Sequence, residues 1–128
     1  MGWLMAIDYL VSRDEVDKEK VGITGNSGTG HLLHGYLQFD DRFKISAPSC
    51  FITTFFSNLE NELPSDNEQC PPGIIGGGLE LVDFFIVRAL KPVIFLGQKY
   101  DFFDLRGLKE TYGRSEEIFI KFIGQKII

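Results

Sequence analysis

The sequence predicts an α/β fold with a parallel sheet of about three strands and flanking helices. Three short runs, at 21–24, 43–47 and 92–96, read as strands. The first, Val21 to Thr24, is apolar and β-branched, the look of a strand buried on both faces. Segments of helical spacing lie before, between and after these runs, and that alternation is the pattern of the class. A glycine turn, Gly25 to Gly30, joins the first strand to a helical stretch. In such sheets ligands sit at the carboxyl ends of the strands. Two places qualify, the glycine turn at 25–30 and the loop at 98–104.

Taken in order, Trp3, Leu4, Ile7, Leu10 and Val11 recur at helical spacing, which predicts an amphipathic helix over 2–13. Ser12 to Lys20 is charged and turn-like. After the first strand and its turn, Leu32 to Phe39 is helical. The second strand, Phe43 to Ala47, is stopped by Pro48. Cys50 to Leu63 reads as a loop and then a helix, and Pro64 to Gly78 as a long polar, glycine-rich connection. Leu79 to Leu90 is apolar on almost every face and predicts a buried helix. The third strand, Pro92 to Leu96, precedes a loop over Asp101 to Gly107. Leu108, Tyr112, Phe119, Phe122 and Ile123 mark a final amphipathic helix. There is no internal repeat and no low-complexity run.

Composition bounds the function. The 128 residues are 44% apolar and 24% charged, ordinary for a globular domain and wrong for a disordered chain or coiled coil. Acidic side chains outnumber basic ones by 18 to 13, and a net charge of −5 argues against general nucleic-acid binding, which needs clustered Lys and Arg. Cys50 and Cys70 make no disulfide framework and read as free thiols in or near a core; no spacing reads as a metal site. No apolar run approaches the roughly 20 residues of a membrane span. The start, MGWLMAIDYL, lacks a positive n-region and carries Asp8, so it makes a poor signal peptide. That favours the cytoplasm if Met1 is the true start.

Three machines use a glycine turn between a strand and a helix. Gly25 and Gly30 have P-loop spacing, but His31 and Leu32 stand where a P-loop needs Lys and Ser or Thr. A dinucleotide fingerprint fails because Leu33 replaces its third glycine. The third machine is the nucleophile elbow, G-x-S-x-G. Gly25-Asn26-Ser27-Gly28-Thr29 matches it except at Thr29, with Gly30 one place on. The elbow needs small neighbours because its serine sits in a strained backbone conformation where strand and helix approach closely. The Gly28 N–H would then face a developing oxyanion at a helix N-terminus. A glycine-rich turn that merely lets a helix pack close is the plain alternative.

Further segments widen the pattern. Asp8-Tyr9-Leu10-Val11-Ser12-Arg13 and Glu15-Val16-Asp17 precede the first strand; Gly25-Asn26-Ser27-Gly28 forms the turn. Asp41-Arg42, Ala47-Pro48-Ser49-Cys50 and Ile52-Thr53-Thr54-Phe55 follow. Asp66-Asn67-Glu68-Gln69, Lys91-Pro92-Val93 and Asp101-Phe102-Phe103-Asp104 complete the series. In this order, from Asp8 to Gly124, they resemble the acetyl xylan esterase and dienelactone hydrolase-like branch of the α/β-hydrolases. Thr29 departs from that branch, which carries glycine there.

The resemblance implies Ser27 as nucleophile and Asp101, after the third strand, as the acid that orients a catalytic imidazole. Asp104 is the runner-up acid, with a helix cap or an ion pair to Arg106 or Lys109 as its plain role. A triad of this type runs Ser, acid, His along the chain, and no histidine follows Asp101. His31 and His34, on the helix behind Ser27, read as partly exposed helix residues, since a base must reach Ser27 from the side where Asp101 can hold it. The resemblance also implies strands before residue 2, one loop of which supplies a second oxyanion donor. Residues 1–128 therefore read as a single partial domain, without the N-terminal strands and the C-terminal histidine loop.

The expected function is that of a serine carboxylic-ester hydrolase, needing no cofactor, that cleaves short acyl esters such as those of an acetylated carbohydrate. The fragment alone is expected to be inactive for want of its histidine. A prolyl oligopeptidase-like peptidase shares the triad and is the close alternative. A pseudo-enzyme or binding module is the non-catalytic one. Open sheet edges and uncovered apolar faces predict self-association.

Overall fold

The structure is a computed structural model describing residues 2–28, 39–60, 69–70, 72–89 and 91–123. Two parallel strands lie at its centre, β1 (Gly22–Asn26) and β2 (Ile45–Ser49), in register from Gly22 opposite Ile45 to Asn26 opposite Ser49. Residues 93–96 run parallel along the other side of β2, bridged at Ser46–Val93 and Ser49–Leu96. The order is thus β1, β2, 93–96.

β2 does not stop at Pro48. Pro48 is buried within the strand opposite Gly25. The bonds from β2 to 93–96 show why a proline is tolerated. Ser46 N–H donates to Pro92 O (3.1 Å), Ile94 N–H to Ser46 O (2.9 Å), Leu96 N–H to Pro48 O (3.0 Å) and Cys50 N–H to Leu96 O (2.9 Å). Between the Ser46 and Cys50 donors stands Pro48, which has no N–H to give. One bond drops out of this side of the ladder, and 93–96 pairs through two separate bridges. β1 likewise runs past Thr24 and takes in Gly25 and Asn26, paired with Pro48 and Ser49.

The helix α1 (Gly2–Ser12) lies where the spacing placed it, but among its described side chains the packing stripe is narrow. Ile7 is buried with Val21, Ile23 and Phe43, and Val11 and Val16 pack at the margin. Leu4 and Leu10, assigned to the apolar face, are exposed. Asp17 caps a short 3₁₀ turn, Lys18–Lys20, by accepting from Glu19 N–H. Arg42 then ties the approach to β2 onto α1, pairing with Asp40 and with Asp8.

The helix α2 (Phe55–Leu59) begins at Thr54, whose hydroxyl accepts from Ser57 N–H at 3.0 Å. The helix α3 (Leu81–Val87) is shorter than the apolar run over 79–90 and is not buried all round. Leu81, Val82 and Phe85 face inward, while Leu79 and Val87 are exposed. Its start is fixed by Glu80. One Glu80 carboxylate oxygen accepts from Leu81 N–H (3.2 Å) and from Phe55 N–H (2.9 Å), while Asp83 accepts from Glu80 N–H (2.7 Å). The Glu80 side chain also accepts from Asp83 N–H, which with the Asp83 bond completes a capping box, and its bond to Phe55 joins the starts of α2 and α3. Arg88 ends the helix and donates to Phe43 O at 3.2 Å.

The helix α4 (Leu105–Ile123) starts inside the expected loop and takes in Gly107. A Cβ at Gly107 would stand 2.8 Å from Thr54 N and closer still to Thr53 Oγ1. The missing side chain lets α4 lie against α2, and Thr111 Oγ1 donates to Thr53 O at 2.9 Å along the same seam. Phenylalanines fill the space between layers: Phe51, Ile52, Phe85, Val93 and Phe103 form one cluster, with Phe95 and Leu108 against it. Phe55, Ile74 and Leu81 form another, with Cys70 at its edge. The expected helix over 32–39 lies, but for Phe39, outside the described residues.

Candidate active site

Ser27 follows β1 directly, at the carboxyl end of the sheet, and its side chain is exposed. Its φ is +54°, in the left-handed region. That region costs a residue with a Cβ about 1–2 kcal/mol, and serine has no special tolerance for it. Its N–H donates to Ser49 O at 2.9 Å, so β2 holds the turn. Gly28 next to it is helical. Ser49 Oγ lies 3.2 Å from Asn26 Oδ1. Gly30 and Thr29 lie outside the described residues, as do His31 and His34.

A second strained position sits beside the first. Cys50, directly after β2, also has φ +54°. Its N–H reaches Leu96 O at 2.9 Å, and its thiol is free. Sequence reasoning treated it only as a thiol near a core. The available signal was the run of small residues that closes β2, Ala47-Pro48-Ser49-Cys50, matching in place the small residues that close β1.

Asp101 lies in the loop between 93–96 and α4, half-buried, with Oδ1 3.5 Å from Phe103 N. It makes no ion pair among the described residues. Asp104 is engaged. Its carboxylate accepts from Arg106 N–H and from Arg106 Nε, both at 2.7 Å. It caps α4, and its hydrogen bonds with the Arg106 side chain hold its carboxyl below the usual range. Arg106 also reaches Glu60 at 3.2 Å. Asp104 thus fastens the start of α4, while Asp101 accepts from Phe103 N–H within its loop.

β1 and 93–96 flank β2, so Ser27 and the start of the Asp101 loop stand two strand spacings apart, about 10 Å. No helix among the described residues is long and apolar enough to cross a membrane.

No family model and no curated protein matches the sequence. Solved structures do match. A promiscuous CE15 esterase from a marine bacterial metagenome superposes with a TM-score of 0.68 at 16% identity, over 92% of this chain and 34% of the esterase. A CE15 glucuronoyl esterase from Teredinibacter turnerae T7901 gives 0.68 at 14% identity, over 98% of this chain and 34% of its own. The Pyrococcus horikoshii acylaminoacyl peptidase gives 0.63 at 16% identity, over 95% of this chain and 20% of its own. All three are α/β-hydrolases. At these identities the likeness establishes the fold alone: the described residues form part of an α/β-hydrolase fold. The chain spans about a third of the esterases' length.

Proposed function

We propose that this chain carries the nucleophile and the acid of a serine hydrolase for carboxylic esters, in the manner of the acetyl xylan esterase and dienelactone hydrolase branch. The observation that carries the reading is Ser27: a non-glycine residue at φ +54°, exposed, directly after a strand at the carboxyl end of a parallel sheet. The two CE15 esterase neighbours add support for ester chemistry.

Ser27 Oγ attacks the ester carbonyl and forms a tetrahedral intermediate. The Gly28 N–H stabilises its oxyanion, the alcohol leaves, and water then releases the acid from the acyl-serine. An imidazole takes the Ser27 proton and returns it to the alcohol. Asp101 holds the other ring nitrogen and stabilises the charged form. Asp104, already bound to Arg106, has no part in this. The reading assigns the imidazole to polypeptide outside residues 1–128. A serine without its base has an ordinary hydroxyl, so the chain alone is expected to turn over little or no ester.

Fluorophosphonate labelling read by intact mass tests this. Residues 1–128 alone are expected to label no faster than Ser27→Ala. The same segment within a chain that supplies a histidine after the acid is expected to label at Ser27. Labelling of that longer chain that survives Ser27→Ala would overturn the assignment. Labelling of residues 1–128 that is lost in Ser27→Ala would keep the nucleophile and place a base inside the chain, with His31 the first suspect. The peptidase neighbour favours a second reading, amide hydrolysis by the same residues. Comparing p-nitrophenyl acetate with peptide anilides on the longer chain separates the two.

A further inference from the structure

We infer that Ser49, at the end of β2, is a positioning residue for Ser27, fixing the strained turn from the neighbouring strand. The inference rests on the reading of Ser27 as nucleophile. A residue in the left-handed region persists only where its surroundings over-determine it. Ser27 is exposed, so side-chain packing does not hold it. Ser49 does, through two different groups on two consecutive residues. Its carbonyl accepts from Ser27 N–H at 2.9 Å, and its hydroxyl bonds Asn26 at 3.2 Å.

Any residue at 49 offers the carbonyl; only a hydroxyl residue offers the second tie. A hydroxyl has one hydrogen to give. Ser49 Oγ stands 3.2 Å from Asn26 Oδ1 and 3.5 Å from Cys50 Sγ, and the oxygen is the nearer and stronger acceptor. The hydrogen therefore goes to Asn26. Cys50 N–H in turn bonds Leu96 O at 2.9 Å, the last residue of the segment that leads to the Asp101 loop. The brace thus runs across three adjacent chain ends: the Ser27 turn, Ser49-Cys50 and Leu96.

Amide hydrogen exchange, resolved by NMR on the chain itself, tests the brace. Ser49→Ala and Asn26→Ala are each expected to speed exchange at the Ser27 amide by threefold or more. The double variant should do no more than either single one. Ser49→Thr, which keeps the hydroxyl, should restore protection, while Ile23 and Ala47 in mid-strand keep their wild-type rates. Unchanged exchange at Ser27 in Ser49→Ala overturns the inference. So does acceleration at Ile23 and Ala47 in step with Ser27, which would make Ser49 an ordinary sheet residue. No activity enters this readout, so a Ser27 that fails to label even in the longer chain that supplies a histidine defeats the hydrolase reading and leaves the brace standing.

Discussion

Ser27 holds φ +54° while carrying a Cβ, and the cost of that conformation is open to measurement. Glycine enters the left-handed region freely, whereas alanine keeps serine's penalty without its hydroxyl. Ser27→Gly is therefore expected to unfold in urea at higher stability than Ser27→Ala by about 1 kcal/mol. Equal midpoints would mean that the strain is absent in solution. The carboxylates offer a second test at this scale. Hydrogen bonds from the Arg42 side chain hold Asp40 below the usual carboxylate range, as Arg106 does for Asp104. A group whose pKa is lower folded than unfolded adds stability above its unfolded value and loses it as pH falls through the folded one. Stability should accordingly drop below about pH 4. Asp40→Asn should flatten that acid limb when urea midpoints at about pH 3 and about pH 6 are compared. Ser27 became a candidate from the sequence because the elbow demands glycine and serine at fixed spacing beside a strand. Asp101 became a candidate only through a resemblance, since one aspartate in a loop has no local signature. The sequence already set Asp101 ahead of Asp104 and gave Asp104 a helix cap or an ion pair to Arg106 as its plain role, and the coordinates show that cap and that pair.

Among the elements, the type and order of most segments followed from apolar spacing, while boundaries moved wherever a local rule met a tertiary contact. Pro48 signals the end of a strand, yet β2 continues because the bond Pro48 forfeits lies on the side of 93–96. The run over 79–90 is apolar throughout, but Val87 and Leu79 stay exposed because only one side of α3 meets the core. Gly107 reads as loop, yet it is the glycine that lets α4 approach α2. This yields a paired prediction within a single helix. Gly107→Ala must displace Thr53 and Thr54, and such overpacking costs roughly 1–3 kcal/mol. Gly113→Ala enters open space and should gain about 0.8–1 kcal/mol from helix propensity alone. Thermal melts of the two variants should move in opposite directions. A Gly107→Ala chain that melts at or above the wild-type temperature would show that α4 does not sit so close.

At the scale of the whole molecule, two surfaces have no cover among the described residues. β1 pairs with β2 on one edge and with nothing described on the other. α1 buries Ile7 yet presents Leu4, Met5, Tyr9 and Leu10 to solvent, with Met5 70% and Tyr9 66% exposed. Open strand edges recruit further strands, and contiguous apolar surface drives association. The chain also spans about a third of the esterases it superposes on, so those proteins hold far more chain around the same arrangement than is present here. Purified residues 1–128 should therefore self-associate, with a weight-average mass in sedimentation equilibrium that rises with concentration. The α1 face gives the association a location. Met5→Lys combined with Tyr9→Lys should return the mass toward that of a single chain. Val87→Lys, at an equally exposed apolar position on α3, should change it less. If both variants act alike, association is general stickiness and not a property of α1. A single-chain mass at every concentration, with one cooperative unfolding transition, would instead mean that this part of the fold covers its own surfaces.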